Sequence, residues 1–126
     1  MLKMKIVMDK QEVFSWAKIY KIPESNELGL YLAENRGEVL GVCFYCLTDY
    51  GMKILMVDTK GDTALFDGLI RAAMALLFDH EKDRVEFSKD MDLQLLRQLR
   101  FVQENNLCIK SANVFFETCK NCKNWF

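Results

Sequence analysis

The chain has 126 residues, 51% of them hydrophobic and 28% charged, with a formal net charge of −1. That suits one domain around one core, and it leaves no overall basic field to attract nucleic acid. No apolar run reaches the roughly 18 residues of a membrane span, and "MLKMKIVMDK" lacks the apolar stretch and cleavage site of a signal peptide, so the expected compartment is the cytoplasm.

The first segment, "KMKIVM", is strand-like. Asp9 stands where a helix N-cap belongs, with Glu12 three residues on, a variant of the capping box. Val13, Phe14, Trp16, Ala17 and Tyr20 follow at helical spacing and form one apolar face. Ile22-Pro23 ends this helix, because the residue before proline is pushed out of the α region. "LGLYLAE" and "EVLGVCFYCL" then read as two strands. The "NRG" between them suits a tight turn in which Gly37 takes a positive φ. "DYG" turns the chain into a third strand, "MKILMV". A helix is expected from about Asp62 to Asp79, apolar almost all round and therefore buried. Ile70, Ala73, Met74 and Leu77 are expected to face the sheet, and Ala72, Ala75 and Leu76 a second partner. Gly68 inside this helix costs ~1 kcal/mol relative to alanine and points to close packing, against a strand in the first instance. "DRVEF" is a short strand. Asp90 or Asp92 caps a further helix carrying Leu93, Leu95, Leu96 and Leu99. "NNLCIKSANVFF" is read as one or two last strands.

The order is thus β α β β β α β α β, an α/β chain (α+β) with a mixed, largely antiparallel sheet flanked by helices. No Ser/Gly-rich linker or internal repeat interrupts it, and Pro23 is the one proline. Residues 1–116 read as one domain and 117–126, "ETCKNCKNWF", as a cysteine-containing tail.

Strand, polar loop, buried helix is a common plan for holding an anion, because the free N–H groups of a helix N-terminus favour negative charge. The loop here, "DTKGDTA", is equally explained as a connection whose Asp62 or Thr63 caps the helix.

The element order, with "DGLIRAAMALL", "DRVEF" and "LLRQLRF", resembles the GNAT superfamily of acyl-CoA-dependent N-acetyltransferases over about Glu27 to Phe101. The resemblance implies acetyl-CoA or CoA as cofactor and an amine as acceptor. It implies that Leu55, Met56, Val57, Thr59, Lys60, Gly61 and Asp62 meet the coenzyme. The family's pyrophosphate motif, [QR]-x-x-G-x-[GA], falls on Gly61, Ala64 and Phe66, or one residue later on Asp62, Leu65 and Asp67. Neither register restores the motif. Asp58, Asp62 and Asp67 add negative charge there, opposed by Lys60. A second family motif, N-x-x-A-x-x-L-Y-x-K-x-G-F, meets "KDMDLQLLRQLRF". Leu95 and Phe101 match it. Lys89, Leu96 and Arg100 replace the asparagine, the tyrosine and the glycine. Leucine cannot donate a proton, so the family's usual general acid is missing. Asp58 at the end of the third meander strand and Glu34 on the hairpin are the candidate general bases. A first helix in such a fold can also line the acceptor cleft. The implied products of divergence are an acyltransferase-like protein whose activity is kept or lost, or a non-catalytic scaffold.

Five cysteines, an odd count, argue against a disulfide framework. Cys43 and Cys46 lie three apart on a strand, on opposite faces and about 10 Å apart, so they cannot chelate one ion. "CKNC" differs. Cys119 and Cys122 are flanked by Lys120 and Lys123, which favour thiolate. A redox or metal-binding pair and a packed tail stand as alternatives for them, with Cys108 as a further thiol. His80, the one histidine, suits the end of the long helix and a solvent-facing role. An exposed sheet edge or the hairpin is where a homodimer would form.

Overall fold

The computed structural model describes residues 1–120. Six strands form one sheet in sequence order: β1 (Leu2–Ile6), β2 (Leu28–Asn35), β3 (Glu38–Thr48), β4 (Gly51–Asp58), β5 (Arg84–Phe87) and β6 (Cys108–Ile109). All neighbours are antiparallel except β4 and β5, which run parallel. The mixed, largely antiparallel sheet expected from the sequence is therefore present.

Helix α1 (Lys10–Ile19) covers one face, capped by Asp9 as its sequence requires: the carboxylate accepts from the Gln11 N–H at 2.9 Å. Val13 and Ala17 bury against Leu28, Leu30, Leu32, Val42 and Phe44. These are alternate residues of β2 and β3, and the alternation is what gives a strand two faces. The other face carries α2 (Thr63–Met74), a 3-10 turn over Ala75–Leu77, α3 (Leu93–Gln98) and α4 (Ala112–Lys120). Leu65, Leu69, Ile70, Ala73, Met74 and Leu77 pack there on Cys43, Tyr45, Met52 and Ile54. Ile70, Ala73, Met74 and Leu77 are buried as expected, Ala72 and Leu76 are half-buried, and Ala75 is exposed.

The Asn-Arg-Gly hairpin is a two-residue turn with Arg36 at φ 53° and Gly37 at φ 83°. Both positive values match the twist of the flanking strands. Gly68 permits a close approach: a Cβ there would lie 2.8 Å from the Met4 side-chain terminus on β1. Strand packing is thus its role.

One segment departs from the sequence reading. Residues 105–116 supply only the two-residue β6 before α4 begins at Ala112. Asp83, 8% exposed, organises this change. Its Oδ2 accepts from the Ser111 hydroxyl at 2.7 Å, the Asn113 N–H at 2.8 Å and the Asn113 side-chain amide at 2.7 Å. A carboxylate from a distant turn therefore holds the first turn of α4. Helix α4 runs across residue 117, where the tail was expected to start. Arg71 of α2 fastens it from the other side, with its guanidinium 5.2 Å from the Phe101 ring centroid and 5.1 Å from that of Phe115.

Candidate functional site: the opened edge of β4

Strands β4 and β5 pair only from Gly51↔Arg84 to Ile54↔Phe87. The Ser88 N–H reaches the Ile54 carbonyl at 2.9 Å, and β4 then continues to Asp58 without β5 beside it. A bulge marks the point of separation. Phe44 pairs with Met56 and Tyr45 with Ile54, which leaves Leu55 as the extra residue on β4. A bulge bends its strand and reverses which face later residues present. So Met52 and Ile54 belong to the α2 side of the core, Leu55 and Met56 pack on the α1 side, and Val57 returns to the α2 side.

A cleft of about 530 Å³ lies along this opened edge. Leu55, Met56, Val57 and Phe66 form its apolar wall. Tyr20, Lys21, Ile22 and Pro23 at the end of α1 form a second wall, and Ser88, Asp90, Met91 and Asp92 after β5 a third. On the opened side the backbone groups of β4 beyond Ile54 have no strand to pair with among the described residues, so they are available to a ligand.

Tyr20 anchors α1 to the end of β4. Its hydroxyl donates to Asp58 Oδ2 at 2.8 Å, and its ring meets Phe44 edge-on with centroids 5.7 Å apart. Burial, then the hydrogen bond and the charge of Asp58, push the phenol up to about 12. Tyr20 therefore holds its proton at any ordinary pH. The other oxygen of Asp58 accepts from the Lys60 N–H at 3.1 Å. Asp58 thus spans two elements, and both its oxygens are engaged.

The loop between β4 and α2 is a closed turn. Lys60 and Gly61 have φ 53° and 88°, and the Asp62 N–H returns to the Thr59 carbonyl at 3.0 Å. Gly61 is where the positive φ suits glycine. The Thr59 hydroxyl donates to the Asp62 carbonyl at 2.8 Å. The Asp62 carboxylate caps α2 by accepting from the Leu65 N–H at 3.0 Å. The N–H groups of Thr63 and Ala64 remain without an acceptor among the described residues. Asp67 pairs with Arg71 at 3.1 Å. A second groove, about 340 Å³, lies beside this turn, between Thr63, Ala64 and Asp67 of α2 and Gln98, Leu99 and Arg100 at the end of α3.

Of the sequence candidates, Leu55, Met56 and Val57 line the cleft directly, while Thr59, Lys60, Gly61 and Asp62 form the adjoining turn. Asp58 joins them through Tyr20. Glu34 is engaged elsewhere, 3.5 Å from Lys5 on β1. Tyr20, Ser88, Asp90 and Asp92 were not singled out from the sequence as parts of this cleft. Asp92 caps α3 through the Leu95 N–H at 3.1 Å. The signal for Tyr20 is its place at the end of the apolar face of α1, three residues before Pro23. Leu96, at the position of the family's tyrosine, is wholly buried. Arg100, at the position of the family's glycine, has φ 67°.

Cys43 and Cys46 are free and belong to opposite core layers, as their spacing required. Cys119 lies on α4, and Cys122 falls outside the described residues. Among the described residues no group of three or more His, Cys, Asp or Glu side chains is placed to hold a metal ion. His80 is exposed. No helix among those residues is long and apolar enough to cross a membrane.

No family model matches the sequence. No curated protein is similar to it in sequence. Solved structures are similar in fold. An E. coli protein assigned as an N-acetyl transferase, bound to coenzyme A, superposes with a TM-score of 0.56 at 10% identity, over 88% of this chain and 98% of its own. An aminoglycoside N-acetyltransferase, AAC(6')-Iy, in complex with CoA gives 0.58 at 11% identity, over 80% and 92%. An aminoglycoside acetyltransferase from an uncultured soil metagenomic sample gives 0.60 at 13% identity, over 82% and 91%. The element order and these likenesses agree: the chain has the fold of the GNAT acetyltransferases.

Proposed function

We propose that this protein binds an acyl thioester along the opened edge of β4 and is an N-acyltransferase-like protein, with acetyl-CoA or CoA as its coenzyme. The observation that carries the reading is the parting of β4 and β5 after Ile54 and Phe87, with an apolar cleft beside unpaired strand backbone. Bound coenzyme would supply an activated acyl group. Leu55, Met56 and Val57 would hold its arm by apolar contact and by strand-like hydrogen bonds. Backbone N–H groups on that edge are suited to stabilise negative charge on an acyl oxygen. Thr59, Lys60, Gly61 and Asp62 would lie at the coenzyme's phosphate end. An acceptor amine would enter between the end of α1 and the segment after β5. Asp58 is the general-base candidate, through a carboxylate that Tyr20 and Lys60 keep fixed. Two of the similar structures are aminoglycoside acetyltransferases, which fits an amine acceptor. The cytoplasm suits a protein working with this coenzyme and carrying free thiols.

Thermal denaturation of the reduced protein with acetyl-CoA, and separately with CoA, tests the reading. At a concentration ~100 times Kd, binding adds roughly 2.7 kcal/mol, which for a domain of this size raises Tm by about 5 °C or more. No shift at millimolar coenzyme would remove the coenzyme from the account.

A further inference from the structure

The arm and the phosphate end of a CoA thioester meet unlike surroundings here. Along β4 the cleft offers apolar walls and free backbone. At the turn, three backbone donors are already taken by the protein's own oxygens. Asp58 Oδ1 takes the Lys60 N–H, the Thr59 carbonyl takes the Asp62 N–H, and Asp62 Oδ1 takes the Leu65 N–H at 3.0 Å. The Thr59 hydroxyl locks the turn by donating to the Asp62 carbonyl. An intramolecular carboxylate therefore occupies the positive end of α2, the place where a helix otherwise favours a bound anion. The ionised groups around it are Asp58, Lys60, Asp62 and Asp67, with Arg71 already committed to Asp67 and Arg100 in the neighbouring groove. A diphosphate arriving here would face the carboxylates of Asp58, Asp62 and Asp67, with the Gly61, Thr63 and Ala64 N–H groups and the exposed Lys60 and Arg100 to hold it. The carboxylates oppose its charge at the place where the helix end would favour it.

We propose that this cleft selects its donor by the pantetheine arm and the acyl group, and that Asp62 stands in the place of the donor's diphosphate. The inference rests on the acyl-thioester reading of the cleft. A thioester of pantetheine alone is then as good a ligand as the full coenzyme.

Calorimetric titration of the reduced protein with S-acetylpantetheine and with acetyl-CoA reads this directly. The two dissociation constants are expected to agree within about threefold, whereas a working diphosphate site, worth two or more charge-assisted hydrogen bonds, separates them by more than about thirtyfold. Asp62→Asn keeps a good N-cap and removes the charge. It is expected to tighten acetyl-CoA by about fivefold, the effect of one partly screened like charge, and to leave S-acetylpantetheine unchanged. Circular dichroism of the variant confirms that the fold is kept. Acetyl-CoA binding more than thirtyfold tighter than S-acetylpantetheine, or weakened in Asp62→Asn, overturns the inference and leaves the acyl-transfer reading standing. Binding of neither ligand overturns both.

Discussion

At the residue scale, two carboxylates decide how the cleft and its supports are held. Asp58 receives the Tyr20 hydroxyl and the Lys60 N–H. Tyr20→Phe removes one hydrogen bond to a charged acceptor and should cost about 1.5–3 kcal/mol in urea denaturation, less where water replaces the hydroxyl. The raised pKa of Tyr20 also sets an alkaline limit. The unfolded phenol ionises near pH 10 while the folded one holds its proton to about 12. The unfolded state therefore binds fewer protons in that window, and stability falls as pH rises through it. Tyr20→Phe should flatten that fall, although Tyr45, pushed up to about 12 mainly by burial, contributes its own share. Asp83 behaves in the opposite sense. Burial alone would raise its pKa, but the Asn113 N–H, the Ser111 hydroxyl and the Asn113 amide outweigh burial and the net shift is downward. The unfolded chain then takes up a proton first as pH falls. The stability from Asp83 is present above the unfolded value of roughly 3.9 and is lost below it. Acid denaturation followed by circular dichroism should show a shallower limb in Asp83→Asn, with lower stability at neutral pH.

At the element scale, two backbone positions carry clear expectations. Arg100 ends α3 in the left-handed region at φ 67°, with the Phe101 N–H returning to the Leu96 carbonyl at 2.9 Å. Glycine belongs at such a site, so Arg100→Gly should raise stability by about 1 kcal/mol, measured by denaturant midpoint. Gly29 on β2 is the reverse case. A Cβ there would lie 2.3 Å from the Tyr45 ring. The ring is buried beside that of Tyr31, with centroids 6.4 Å apart, so Gly29→Ala should cost about 1–3 kcal/mol by overpacking. These elements also show what the sequence could reveal. The hairpin was legible because Asn-Arg-Gly demands one kind of turn, and the caps of α1 and α2 because aspartate precedes each apolar period. The bulge at Leu55 was not, because "ILMV" is apolar throughout and a reversal of faces leaves no trace in such a run. Residues 112–116 were misread as strand because Asn-Val-Phe-Phe is β-prone locally. The helix there depends on Asp83, which lies 28 residues from Ser111 along the chain.

At the scale of the whole molecule, the architecture followed from the order of elements, while the site did not. The positions aligned with the GNAT pyrophosphate motif run from the turn at Gly61 into the first turns of α2. The side chains of Asp58, Thr59 and Asp62 close that turn on itself, and only their hydrogen bonds reveal it. Tyr20 entered the cleft from an element remote in sequence, 38 residues from its partner Asp58. The central claim is that a thioester lies along β4 where β5 leaves it. Backbone amide NMR of the reduced protein during titration with acetyl-CoA tests it most directly. The account predicts saturable shifts at Leu55, Met56, Val57 and Ser88, the residues on either side of the parting strands. Saturable shifts confined to another surface, or none at millimolar ligand, would contradict it.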